Sequence, residues 1–368
     1  MKRFLALLLA LTLLLSALSS CTFRQKDEPE QVPEQSAEPE KSAEPEKKPE
    51  KSAEPEKSAE PEKIYSPLTG LPVEKDISSK RPYAIMINNI SVALPQHGIS
   101  MADMIFEMQV EGGITRILGV YEDFKDAPVV GSIRSSRPYY LDLAQALDAI
   151  YVHAGGSDEA YSLMRSYGMD HIDGLSDAGS AFYRDADRRA SMGLEHSLMI
   201  NTEELTKYVE SSNIRKEHED GYSVNLTFAD SGSAKTGKDA KDVTVAFSGN
   251  KKTGFNYHAD DGLYYATQHG NAYMDAENDK QVAVKNVLVL YAPYSQVSGD
   301  EKGRLHVDLT GSGKGYYMAD GKYVEIEWTR ESVSSQFDFT VSGSKLQLER
   351  GTSYFCIVPE NSTVDFAS

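Results

Sequence analysis

The sequence predicts an α/β (α+β) region over residues 65–220, with mixed sheet and helices, followed by a smaller all-β region over 221–368. Three observations predict it. Before residue 220, apolar strand-like runs such as Tyr83-Ala84-Ile85-Met86-Ile87-Asn88 and Ala149-Ile150-Tyr151-Val152-His153-Ala154 alternate with helical stretches. After Tyr222 the polarity period falls to two, as in Val224-Asn225-Leu226-Thr227-Phe228 and Val243-Thr244-Val245-Ala246-Phe247, with no helical pattern. Ahead of both, residues 22–64 repeat KSAEPE and offer almost nothing apolar to bury.

The first residues read as an export signal. Lys2-Arg3 precede an apolar run over 4–15, and small residues lead to Leu18-Ser19-Ser20-Cys21, which resembles a bacterial lipobox. Cys21 is then the expected lipidation site and new N-terminus, and lipid on that cysteine is the only expected membrane attachment. The expected location is extracytoplasmic, anchored to the bacterial cell membrane. Residues 22–64 read as a disordered Glu/Pro/Lys-rich tether, whose ~40 residues at ~3.1 Å each reach on the order of 120 Å when fully extended. Only Cys21 and Cys356 exist, so no disulfide is left to the body, and Cys356 in YFCIV reads as a buried, inert thiol.

Within the first region, residues 103–147 organise the reading. Met104, Phe106, Met108 and Val110 alternate with Ile105, Glu107, Gln109 and Glu111 on a strand. Gly112-Gly113 predicts a two-residue hairpin turn, because both positions tolerate positive φ. That register sets Glu111 opposite Ile114, Gln109 opposite Arg116 and Glu107 opposite Leu118, grouping carboxylates and a guanidinium on one face. Residues 129–134 read as a third strand ending in Arg134. Ser135 or Ser136 is expected to cap the following helix, with Arg137 and Pro138 in its first turn. The positive end of that helix beside Arg134 and Arg137 favours an anion. Gly155-Gly156-Ser157 reads as a structural turn into a helix over 158–167. Asn201 with Glu204 opens another helix running to about Ser211.

In the second region Asp261-Gly262 and Asp320-Gly321 predict hairpins, and Val287-Leu288-Val289-Leu290-Tyr291 predicts a central strand. Six to nine strands are expected. Gly311-Ser312-Gly313-Lys314 lacks nucleotide-loop spacing, the eight histidines lack paired metal spacing, and no G-x-S-x-G is present. No metal, cofactor or nucleotide is therefore expected, and a net charge of −18 argues against nucleic acid.

With these residues in view, the chain resembles the YerB-like bacterial lipoproteins, domain-of-unknown-function family 3048. The carrying segments are Asn88-Asn89 with Pro95-Gln96-x-Gly98, Ala102-Asp103, Glu107, Glu111-Gly112 and Thr115-Arg116. They continue with Gly131-Ser132-Ile133-Arg134-Ser135-x-Arg137 through Tyr140, Phe182-x-Arg184, and the run from Asp308 to Tyr316 with the strand ending at Trp328. Leu194-Glu195-His196-Ser197 departs from the pattern, in which a proline and a His-Asn pair stand before the helix. The resemblance implies two domains and a lipid-anchored address, and no established reaction.

The candidate binding residues are Glu107, Glu111, Arg116, Arg134 and Arg137, with Asn88, Asn89 and Tyr140 as neighbours. The expected function is a cell-envelope binding or scaffolding module that recognises an anionic wall component or a wall-synthesis partner. The alternatives are a hydrolase acting on envelope glycan or peptide through Glu107 or Glu111, and a charged cluster of purely structural role.

Overall fold

The computed structural model describes residues 63–124, 126–176 and 179–367, so the expected signal segment, Cys21 and nearly all of the tether lie outside the described residues. In the first region the strands used below are β1 (Tyr83–Asn88), β2 (Met104–Gln109), β3 (Thr115–Tyr121), β4 (Val129–Gly131), β5 (Ile150–His153), β6 (His171–Asp173), β7 (Phe182–Arg184) and β8 (Leu198–Asn201). Its helices are α1 (Pro138–Ala146), α2 (Asp158–Tyr167), α3 (Ala186–Met192) and α4 (Thr202–Ser211). In the second region they are β9 (Asp242–Ala246), β10 (Lys252–His258), β11 (Leu263–Gln268), β12 (Asn286–Ala292) and β13 (Gly311–Ala319). β14 (Lys322–Arg330), β15 (Asp338–Val341), β16 (Ser353–Pro359) and β17 (Val364–Ala367) complete the set.

A twelve-stranded mixed sheet crosses both regions, in the order Ser344–Lys345, β15, β14, β13, β12, β16, β2, β3, β1, β5, β6, with Lys238–Asp239 added beside β14. The join is β16 on β2, a parallel pairing that sets Cys356 beside Glu107. The core lies on both faces of this sheet. Ala84 and Met86 of β1 point to the side covered by Tyr139, Tyr140, Leu141 and Leu143 of α1 and Met164 of α2. Ile85 and Ile87 point to the other side, covered by Ile200 of β8, Leu205 and Val209 of α4, and Val243, Val245 and Phe255 of a six-stranded sheet. That second sheet runs Asn271–Ala272, β11, β10, β9, β17, with Ala283–Val284 beside β11. Continuous apolar runs such as β1 therefore form because neither face meets water.

Local signals explain several ends. Ser157 caps α2 by accepting the Ala160 N–H, Asp185 caps α3 at Arg188, and Asn201 caps α4 at Glu204. Asp320 and Gly321, both at positive φ, close the β13–β14 hairpin with Ala319 paired to Lys322. β12 lies inside the large sheet between β13 and β16, as its Val/Leu run predicts.

Four local readings are corrected. The strand expected over residues 129–134 is shorter: β4 covers only Val129–Gly131 and pairs with β8 in a three-stranded sheet. Neither Ser135 nor Ser136 caps α1, whose cap position is Arg137 without a side-chain hydrogen bond; Ser136 Oγ instead accepts from Tyr151 Oη at 2.8 Å. The second region holds more strands than the six to nine expected, because strands of two or three residues leave no periodic signal. The turn at Gly112-Gly113 takes three residues, since Val110 N–H donates to Ile114 O across residues 111–113.

β12 and β13 approach closely at Gly315, where an added Cβ would sit 2.1 Å from Val289 O. That atom is backbone and cannot step aside. Gly315→Ala should cost about 1–3 kcal/mol or more, read as a lower denaturant midpoint in equilibrium unfolding. An unchanged midpoint would contradict this pairing of the two strands.

Candidate functional site

The extra residue in the first hairpin shifts its register by one. Glu107 pairs with Ile117 and Met108 with Arg116, so Glu107 and Arg116 project from opposite faces of the large sheet. The expected single-face grouping is thereby split into two sites.

The first lies between the two sheets. Glu107 is 0% exposed and accepts from Asn89 Nδ2 at 2.9 Å, Thr115 Oγ1 at 2.6 Å, Thr253 Oγ1 at 2.8 Å and Tyr354 Oη at 2.7 Å. Lys251 Nζ, also buried, stands 3.0 Å from Glu107 Oε1 and contacts Gln268 Oε1. Burial, followed by the nearby Glu107 charge, pushes the Tyr354 hydroxyl well above its usual range, so that hydroxyl remains a donor. Burial raises the Cys356 thiol likewise, which keeps it protonated and inert. A carboxylate this enclosed offers no face to a substrate.

The second site lies where α1 begins, at the C-terminal ends of the parallel strands β1, β5 and β6. Open α/β sheets place ligands at such ends. Glu111 accepts from Arg137 through Nε at 3.0 Å and through Nη2, and from Arg116 Nη2 at 3.3 Å. Arg116 Nη1 and Arg137 Nη1 donate to the Ser135 and Ser136 carbonyls at 2.7 and 2.6 Å. Arg116 Nε is buried with no hydrogen-bond partner among the described residues. Arg134, fixed by its N–H to Met86 O, reaches the exposed Glu195 at 2.9 Å. Asn88 Nδ2 lies 2.8 Å from His196 Nδ1. Burial, then the Arg134 charge, lowers the His196 pKa, which suits a neutral ring accepting from Asn88.

Electrostatics here favour a bound anion over proton transfer. Burial opposes ionisation of Glu111, but the Arg137 hydrogen bond and the charges of Arg116 and Arg137 outweigh it and hold the carboxyl at about 2. It is therefore ionised at neutral pH and has no proton to give. Arg116 is lowered to about 10 by burial and by Arg137, against the pull of Glu111, and still carries its charge. Three guanidinium groups thus face two carboxylates beside an uncapped helix start.

Of the eight expected residues, Glu111, Arg116, Arg134, Arg137 and Asn88 meet at this end of the sheet. Glu107 and Asn89 belong to the sealed network. Tyr140 donates to the Met108 and Arg116 carbonyls, bolting α1 to β2 and β3. Sequence reasoning missed Glu195 and His196 at the α1 site, and Lys251, Thr253, Gln268 and Tyr354 in the sealed one. The last four lie 140 or more residues away from Glu107, and no local pattern marks them.

Residues 68–215 match the family described as "Protein of unknown function (DUF3048) N-terminal domain", and residues 243–355 match its C-terminal domain. The chain belongs to this family. The chain is similar to "Putative lipoprotein YerB" of Bacillus subtilis (strain 168), 29% identical over 298 residues, which span 80% of this chain and 86% of the relative. The crystal structure of YerB protein from Bacillus subtilis superposes with a TM-score of 0.72 at 27% identity, covering 82% of this chain and all of that one. An α+β part followed by a mainly antiparallel β part is the arrangement here, and the YerB structure shares the fold.

Folding carries Glu111 from an ordinary carboxyl at 4.5 to about 2, so its ion pairs stabilise above pH 4.5 and that gain is lost as pH falls toward 2. Glu111→Gln should lower stability at pH 7 by roughly 1–3 kcal/mol. Urea unfolding at stepped pH should show the deficit shrinking through this window; a deficit that persists unchanged into acid contradicts the ion-pair account.

Proposed function

We propose that the protein is a lipid-anchored, extracytoplasmic binding module of the cell envelope, which grips an anionic group of a wall component or wall-synthesis partner at the start of α1. Cys21 is the anchor, and residues 22–64 carry the body away from the membrane. The lipobox-like sequence supports the anchor, and so does the word lipoprotein in the name of the Bacillus subtilis relative. Among the described residues no helix is long and apolar enough to cross a membrane.

The observation that carries the binding role is the buried Arg116 guanidinium, whose Nε has no partner although Arg134 and Arg137 stand beside it. Buried polar groups are nearly always satisfied, so an orphaned cationic donor at a helix start favours an acceptor from outside. Arg134 is the residue free to turn toward that acceptor, because Glu195, its one side-chain partner among the described residues, is exposed. A carboxylate or phosphate would accept from the guanidinium forks. Hydrolysis through either glutamate gains no support: Glu107 is enclosed and Glu111 is held ionised.

The test is retention of soluble wall fragments bearing carboxylate or phosphate groups by the purified protein. Arg134→Ala should weaken capture about tenfold or more while leaving the fold intact. Equal capture by the variant, or no capture by the unaltered protein, would sink the reading.

A further inference from the structure

Lys251, Gln268 and Glu107 meet in a compartment of three buried side chains, each at most 2% exposed. Lys251 directly precedes β10, and Gln268 ends β11 and pairs with Thr253, so a lysine and a side-chain amide face one another across the open end of a hairpin. Glu107 arrives from the large sheet, its Oε1 3.0 Å from Lys251 Nζ. Lys251 Nζ contacts Gln268 Oε1, and Asn89 Nδ2 lies 3.4 Å from that same oxygen. The amide nitrogen of Gln268 is buried without a hydrogen-bond partner. The group that should be satisfied in the folded state is the one left orphaned.

We infer that Lys251 and Gln268 join in an intramolecular isopeptide bond, formed within the folded protein with Glu107 as its acid–base group. The parts for the reaction are in place. Glu107 takes a proton from the Lys251 ammonium, leaving a neutral amine aimed at the amide. The lysine nitrogen attacks Cδ of Gln268, whose oxygen is polarised by the Asn89 N–H. A new C–N bond forms, the proton shed by the lysine nitrogen passes through Glu107 to the departing nitrogen, and the old C–N bond breaks with loss of ammonia. Atoms and charge balance: ammonium, carboxylate and primary amide become secondary amide, neutral carboxylic acid and ammonia. No oxidant, metal or cofactor is required.

The product removes two costs at once. An ion pair buried between the sheets becomes two neutral groups, and the unpartnered amide nitrogen is gone. The Thr115, Thr253 and Tyr354 hydroxyls can turn to suit the protonated acid. Ammonia has a short way out, since Lys252 and His269, the immediate neighbours of the joined residues, are both exposed. The chain has only two cysteines, so such a bond would give the body a covalent tie that disulfides do not supply.

Intact-mass measurement of the purified, fully folded protein tests this, followed by tryptic digestion and fragmentation. The expected mass is lower by one ammonia than that of the same mature chain without the bond. Trypsin should fail to cut after Lys251, and one branched peptide should contain both Lys251 and Gln268. Lys251→Arg should restore the full mass, and Glu107→Gln should do the same if it folds. A full mass for the unaltered protein, separate peptides ending at Lys251 and containing Gln268, or an ammonia deficit located elsewhere would each overturn the inference; the first two require no variant to fold.

Discussion

The structure depends on one enclosed carboxylate. Glu107 stands on β2, next to the seam where β16 joins the two regions, and gathers hydrogen bonds from Asn89, Thr115, Thr253 and Tyr354 with Lys251 at ion-pair distance. A carboxyl group in an apolar interior is tolerable only when its hydrogen-bonding positions are filled. Here they are filled by groups from the large sheet, the six-stranded sheet and the loop after β1. Truncating any one partner leaves a buried polar group undersatisfied. The packing of the two sheets is therefore tied to a polar knot as well as to apolar area.

Placing that knot between the sheets decides where the other charges go. Once Glu107 faces the six-stranded sheet, Arg116 must project to the α1 side, because adjacent positions along paired strands alternate. There it meets Glu111, which the three-residue turn has lifted out of the strand, and Arg137, which the uncapped helix presents. Arg134 and Asn88 complete an edge that is rich in donors. One hairpin register thus separates the sealed polar network around Glu107 from the candidate anion site.

Much of the fold was legible. The α+β then β order followed from the change of polarity period near Tyr222, α2 from the Gly155-Gly156-Ser157 turn ahead of it, and α4 from Asn201 paired with Glu204. The β13–β14 hairpin followed from Asp320-Gly321. The register of the β2–β3 hairpin was not, because Gly112-Gly113 suits both a two-residue and a three-residue turn, and Ile117 and Leu118 are apolar whichever face each takes. Both registers bury an aliphatic residue opposite Glu107, so composition cannot choose between them. Arginines 134 and 137 were legible as neighbours of a helix start. The partners of Glu107 were not, since long-range pairing alone brings Lys251 and Tyr354 to it.

The measurement that tests this division most directly is a pair of double-mutant cycles on unfolding free energy. If Glu107 faces Lys251 between the sheets, Glu107→Gln and Lys251→Met should couple by about 1 kcal/mol or more, whereas Glu107→Gln and Arg116→Met should be additive to within ~0.5 kcal/mol. Coupling of Glu107 to Arg116 with none to Lys251 would place both charges on one face and contradict the account.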